Sequence, residues 1–110
     1  MLDEKDFRRR VDAALDSLKK ALMEAEESAD IEVEEQSGAL QVSFEDRSKF
    51  VISPNAPVRQ IWISALATSF KLDWSEAEHD FVLSKTGEKL KVLVARLINQ
   101  QLGAELVTLA

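Results

Sequence analysis

The stretch Asp30-Ile31-Glu32-Val33-Glu34-Glu35-Gln36-Ser37-Gly38-Ala39-Leu40-Gln41-Val42-Ser43-Phe44-Glu45 decides the fold. Apolar side chains fall on alternate positions, first Ile31 and Val33, then Leu40, Val42 and Phe44. A period of two marks a strand that buries one face, and Ser37-Gly38 between the runs suits a tight hairpin turn. Before Asp30 the period is different. Phe7, Val11, Leu15, Leu18, Leu22 and Ala25 recur in steps of three and four, which lays one apolar stripe along a helix from Asp3 to about Glu27. After Glu45, the turn Glu45-Asp46-Arg47-Ser48 leads to a strand at 49–53, and Pro54 and Pro57 bracket a short loop. A fourth strand is expected at 59–64, a fifth around Phe70, Leu72 and Trp74, and a sixth at 80–84. Thr86-Gly87 is then expected to open a final helix with Leu90, Leu93, Val94, Leu97 and Ile98 on its stripe, stopped by Gly103. The tail 104–110 is apolar enough that it should pack on the domain.

The order helix, about six strands with short connections, helix predicts an α+β fold. It is a two-layer sandwich in which both helices cover one face of an antiparallel sheet and the other face meets water. The 110 residues fit a single domain spanning 1–110 with a core of its own.

Composition narrows the function. The chain has no cysteine, which excludes a disulfide scaffold, a thiolate metal site and a Cys nucleophile. It has no apolar run of the roughly 20 residues that spans a bilayer, and its acidic, basic N-terminus Met1-Leu2-Asp3-Glu4-Lys5 lacks the apolar core of a signal peptide. A soluble protein of the bacterial cytoplasm is expected. The net charge of −6 is uneven: residues 1–46 carry 14 acids and 6 bases, against 6 acids and 8 bases in 47–110. Between Glu24 and Glu35, seven of twelve positions are acidic. Such a field repels nucleic acid and anionic lipid and attracts cations or a basic protein patch.

Two features remain. If Ile61 and Ile63 face the core, Trp62 points the other way with Gln60 and Ser64; it is either a partner-contact residue or covered by a loop or the end of the chain. The acids Glu24, Glu26 and Glu27 at the helix end, and Asp30, Glu32 and Glu34 on the first strand, should be neighbours along one edge. Carboxylates without His or Cys suit hard cations held weakly; equally, they could serve as a solubilising face that guards a sheet edge. No catalytic set is found: His79 has no nucleophile beside it, and the glycines form no phosphate-binding pattern.

The segment Pro57-Val58-Arg59-Gln60-Ile61-Trp62-Ile63-Ser64 resembles the Pro-x-x-Gln-[Ile/Val]-Trp-[Leu/Ile]-[Ser/Ala] signature of frataxins, specifically the bacterial branch. The acidic strand 30–34 with Ser37-Gly38-Ala39-Leu40, the turn Ser43-Phe44-Glu45-Asp46-Arg47-Ser48-Lys49, and Ser84-Lys85-Thr86-Gly87-Glu88 before the last helix are similar to that family as well. The likeness runs from about Phe7 to Gly103.

This resemblance implies weak binding of ferrous and ferric iron through an acidic ridge, here Glu24, Glu26, Asp30, Glu32 and Glu34 with Glu27 adjacent. It implies docking on the cysteine desulfurase and the scaffold protein of iron–sulfur cluster assembly, with Trp62, Gln60 and Asn55 as the sheet-face contacts. Lys19-Lys20 and Met23 stand where many relatives carry acids, so the ridge should be weaker there. The stretch Ala65-Leu66-Ala67-Thr68-Ser69 lacks the glycines usual after the Trp motif. The expected function is a monomeric, non-enzymatic modulator of cluster assembly. The alternatives are a ferroxidase or iron-storage enzyme, or an acidic cation-buffering decoy with no cluster role.

Overall fold

A computed structural model describes residues 2–109. Helix α1 spans Glu4–Ala25; seven strands follow, β1 Ile31–Gln36, β2 Ala39–Phe44, β3 Lys49–Asn55, β4 Gln60–Ala65, β5 Thr68–Ser75, β6 Asp80–Leu83 and β7 Glu88–Lys89; helix α2 spans Leu90–Leu102. All neighbouring strands pair antiparallel, and the order across the sheet is the order along the chain. The α+β sandwich expected from the sequence is therefore present, with seven strands where about six were expected.

Three boundaries differ from the sequence reading, each for a local reason. Thr86 and Gly87 do not open α2. They turn the chain between β6 and the two-residue β7, with the Gly87 N–H donating to the Leu83 carbonyl at 2.7 Å. Pro54 lies within β3 rather than in a loop, paired with Ile61 of β4. The β2–β3 ladder ends at Ile52, so the proline's missing N–H faces the side without a partner strand. Asp30 precedes β1 by one residue.

α1 begins at Asp3, whose carboxylate accepts the Asp6 N–H at 2.8 Å, a helix cap worth about 1 kcal/mol. Its stripe Phe7, Val11, Leu15, Leu18, Leu22 and Ala25 is buried, together with Leu90, Leu93, Val94, Leu97 and Ile98 of α2. These residues share one core with Leu40, Val42, Phe50, Ile52, Ile61, Ile63 and Leu72 from alternate positions of the strands. Phe7 meets Phe81 edge-on at 6.0 Å. Removing a side chain like Phe81 would cost about 3–5 kcal/mol. Both helices thus sit on one face, and Glu32, Ser43, Ser53, Trp62 and Lys71 alternate onto the other.

The segment after α2 returns along the helix. Asn99, which is 9% exposed, donates to the Val107 carbonyl at 2.9 Å and accepts the Leu106 and Val107 N–H groups at 3.0 and 2.8 Å. Val107 and Leu109 are buried; Ala110, the last residue of the tail, lies outside the described residues.

Candidate functional site

The acidic residues are gathered by the junction of α1 and β1. Only residues 26–30 separate the two elements, so the helix end and the edge strand are held side by side. A cleft of about 400 Å³ there is lined by Glu26, Asp30 and Glu32, joined by Glu45 from the β2–β3 turn. Glu45 was not singled out in the sequence; the register Ile31↔Phe44 brings it opposite Asp30, and only strand pairing could reveal that. Glu24, Glu27 and Glu34 are exposed on the same rim but do not line the cleft.

Glu26 differs from its neighbours. Its Oε2 accepts the Val33 backbone N–H at 2.9 Å, so half of this carboxylate fastens the helix end to the sheet edge. One turn pair up, Lys19 Nζ donates to Glu35 Oε1 at 2.8 Å, a contact that raises the lysine's pKa. Lys20 pairs with Asp16 at 3.2 Å. Both lysines are thus engaged with acids outside the six expected ridge residues.

Among the described residues no three His, Cys, Asp or Glu side chains stand together closely enough to hold one metal ion. The donors are all oxygen, the type that hard cations take, but they are arranged along a rim rather than converged on a point. Such an arrangement can concentrate cations and bind them loosely, through water or after side chains move.

The second group lies on the open sheet face. The register Ser53↔Trp62 and Asn55↔Gln60 sets Asn55, Gln60 and Trp62 side by side. Trp62 is half-buried and its neighbours fix it in place: the indole N–H donates to Gln60 Oε1 at 2.8 Å, Gln60 Nε2 donates to Asp73 Oδ1 at 3.0 Å, and the Lys71 ammonium sits 4.8 Å from the ring centroid. The sequence marked Trp62 and Gln60. It gave no signal for Asp73 and Lys71, which reach the group only through the pairings Gln60↔Asp73 and Trp62↔Lys71. A half-buried indole with its N–H already bonded offers a rigid apolar platform.

The β4–β5 connection is a two-residue turn in which Leu66 and Ala67 both have positive φ, 53° and 59°. It therefore turns as a Gly-containing hairpin would, without the glycine.

A family model described as a frataxin-like domain matches residues 1–104. The iron–sulfur cluster assembly protein CyaY of Pseudomonas syringae pv. tomato is 31% identical over 105 residues, covering 96% of this chain and 94% of that protein. CyaY of Azotobacter vinelandii is 35% identical over 77 residues, 70% of each. Among solved structures, frataxin from Psychromonas ingrahamii superposes with a TM-score of 0.82 over 97% of both chains at 18% identity. Yeast frataxin gives a TM-score of 0.70 over 90% of this chain and 82% of that one, at 21% identity. At those identities the two structures speak to the fold alone.

Proposed function

The chain belongs to the frataxin-like family, and from that premise we propose that it serves iron–sulfur cluster assembly as an accessory protein that docks rather than turns over substrate. Its acidic rim, Glu24, Glu26, Glu27, Asp30, Glu32 and Glu34, gathers ferrous or ferric iron weakly and meets a basic surface of the cysteine desulfurase. Trp62, with Gln60 and Asn55 beside it, meets the scaffold protein.

One observation carries this reading. The last turn of α1 holds no basic residue, while Glu24, Glu26 and Glu27 crowd its C-terminal end. The helix dipole makes that end negative, so each acid there costs roughly 0.3–1 kcal/mol where a lysine would stabilise. Glu32 and Glu34 on β1 add like-charge repulsion. A surface kept in this unfavourable state is accounted for by a cationic partner, whether an ion or a basic protein patch. The loose spacing of the carboxylates supports weak, exchangeable iron binding rather than a resident metal.

Pull-down of the desulfurase at low salt tests the proposal. Wild-type protein is expected to bind, and binding should fade as salt rises. Changing Glu24, Glu27, Glu32 and Glu34 to Gln together should abolish it; binding that survives all four changes would defeat the docking role of the rim. Trp62→Arg should weaken contact with the scaffold while the amide spectrum stays folded. Intact affinity there would favour the acidic decoy, which has no use for that indole. A ferroxidase centre would want imidazole beside the carboxylates, and His79 lies instead in the β5–β6 turn against Arg10, far along α1 from Glu26.

A further inference from the structure

Lys19 and Lys20 are consecutive on α1, and their ammonium groups go to different places. Lys20 pairs with Asp16 of its own helix at 3.2 Å, and its side chain is 74% exposed. Lys19 leaves the helix: its Nζ donates to Glu35 Oε1 of β1 at 2.8 Å, and its side chain is 35% exposed. An exposed pair within one helix opens and re-forms at little cost. A pair between a helix and a strand is held by the packing of both elements, so its ammonium stays where it is put.

Glu35 is the acid of β1 that faces the helices. Alternation along the strand sends Glu32 and Glu34 to the open face of the sheet and Ile31, Val33 and Glu35 to the other. Two bridges therefore cross from α1 to the border of the sheet, two residues apart on the strand. At Val33 the helix supplies the carboxylate, with Glu26 Oε2 accepting the N–H at 2.9 Å. At Glu35 the helix supplies the cation. The hydrogen bond to Glu35 and the charge of that carboxylate raise the lysine's pKa, so at neutral pH the ammonium does not leave by losing its proton. It leaves by exchange for another cation, and Glu35, half exposed, is open to one arriving from solvent.

We propose that Lys19 is a built-in occupant of the acidic edge, an intramolecular counter-ion that a divalent cation must displace from Glu35 and that thereby lowers the affinity of the whole rim. The inference rests on the cation-gathering reading above. The ammonium acts twice. It holds a carboxylate oxygen that a hard ion would otherwise take, and its charge repels that ion from the neighbouring Glu26 and Glu34. A divalent ion sets two charges against one and wins the exchange as its concentration rises, leaving Lys19 in solvent. Lys20, committed to Asp16 on the helix's own surface, has no part in this.

Mn²⁺ titrations of the whole chain, followed by paramagnetic broadening of the amide signals, test it. Lys19→Met keeps the apolar stem and removes the charge. It should bind Mn²⁺ about tenfold more tightly than wild type, with the Glu35 amide among the first to broaden. Lys20→Met makes the same change in net charge one residue away and should move the affinity less than about threefold. Lys19→Arg returns the cation and should return the wild-type affinity. Adding Glu35→Gln to Lys19→Met should cancel most of the gain, and a gain that survives it intact would overturn the displacement from Glu35. Amide spectra that keep their dispersion show that each variant is folded. If no rim amide broadens saturably in wild type or in Lys19→Met, the cation-gathering reading fails and takes the inference with it. If wild type binds but Lys19→Met and Lys20→Met tighten binding alike, or Lys19→Met leaves it unchanged, the rim stands and the role of Lys19 is overturned.

Discussion

Glu26 of α1 accepts the backbone N–H of Val33, a residue of the edge strand β1, at 2.9 Å. One member of the acidic rim is therefore a structural clasp as well as a charge. Glu26→Gln retains an acceptor oxygen and should keep stability within about 0.5 kcal/mol of wild type, whereas Glu26→Ala leaves the Val33 donor unpaired and should lose about 1–2 kcal/mol. Urea denaturation of the two variants separates these outcomes.

The other rim acids should behave in the opposite sense. Replacing Glu24, Glu27, Glu32 and Glu34 by Gln removes repulsion at a negative helix end and should raise stability by about 1–2 kcal/mol, or roughly 4–8 °C in Tm. The same variant should lose affinity for divalent cations. Calorimetry in low and high salt checks the cause, because salt should narrow the gap between variant and wild type.

Leu66 and Ala67 occupy left-handed backbone with φ of 53° and 59°, a conformation that costs an ordinary L-residue about 1–2 kcal/mol. Writing Asn-Gly at 66 and 67 should stabilise the protein by about 1–2 kcal/mol, read as a higher urea midpoint at unchanged slope.

Asn99 holds the tail by bonds to Leu106 and Val107, and its burial leaves no water to replace them. Asn99→Ala should destabilise by about 2–4 kcal/mol, and removing residues 104–110 should do at least as much by uncovering the core against which Val107 and Leu109 pack. Thermal unfolding measures both.

Glu88 accepts from Arg96 Nε at 2.7 Å and Nη2 at 2.9 Å, and this fork holds its pKa below the ordinary 4.5. A carboxyl that binds protons less readily folded than unfolded contributes its stability above the unfolded-chain value, and that contribution drains away as pH falls through the folded one. Arg96→Met should therefore lower stability at neutral pH and flatten the loss between about pH 5 and pH 3. Denaturant midpoints across that range provide the check.

Periodicity alone placed the two long helices and the first six strands, because a one-sided sheet and one-sided helices write their burial into spacing. It failed where the pattern is too short or non-local. β7 is two residues long, Thr86-Gly87 before it looked like a helix start, and Pro54 is tolerated only because its other neighbour strand has already ended. The site divided likewise. Glu24 to Glu34 and Trp62 stood out by charge density and by phase, whereas Glu45, Lys71 and Asp73 join the surfaces through register, which no single strand encodes. The clasp role of Glu26 was equally invisible, since one glutamate in a row of glutamates carries no mark of the N–H it faces.

With β7 reduced to two residues, β1 is the long open border of the sheet, and an open border invites another copy of the chain to zip alongside. Here the invitation is withdrawn by the carboxylate seated on Val33 and by the anionic fringe in front of it. The ions this fringe is suited to gather are therefore the ones that strip away its colloidal protection. Under the proposed function, solubility and cation loading become opposed quantities on a single edge, and a loose grip on the cation would keep the protein dispersed.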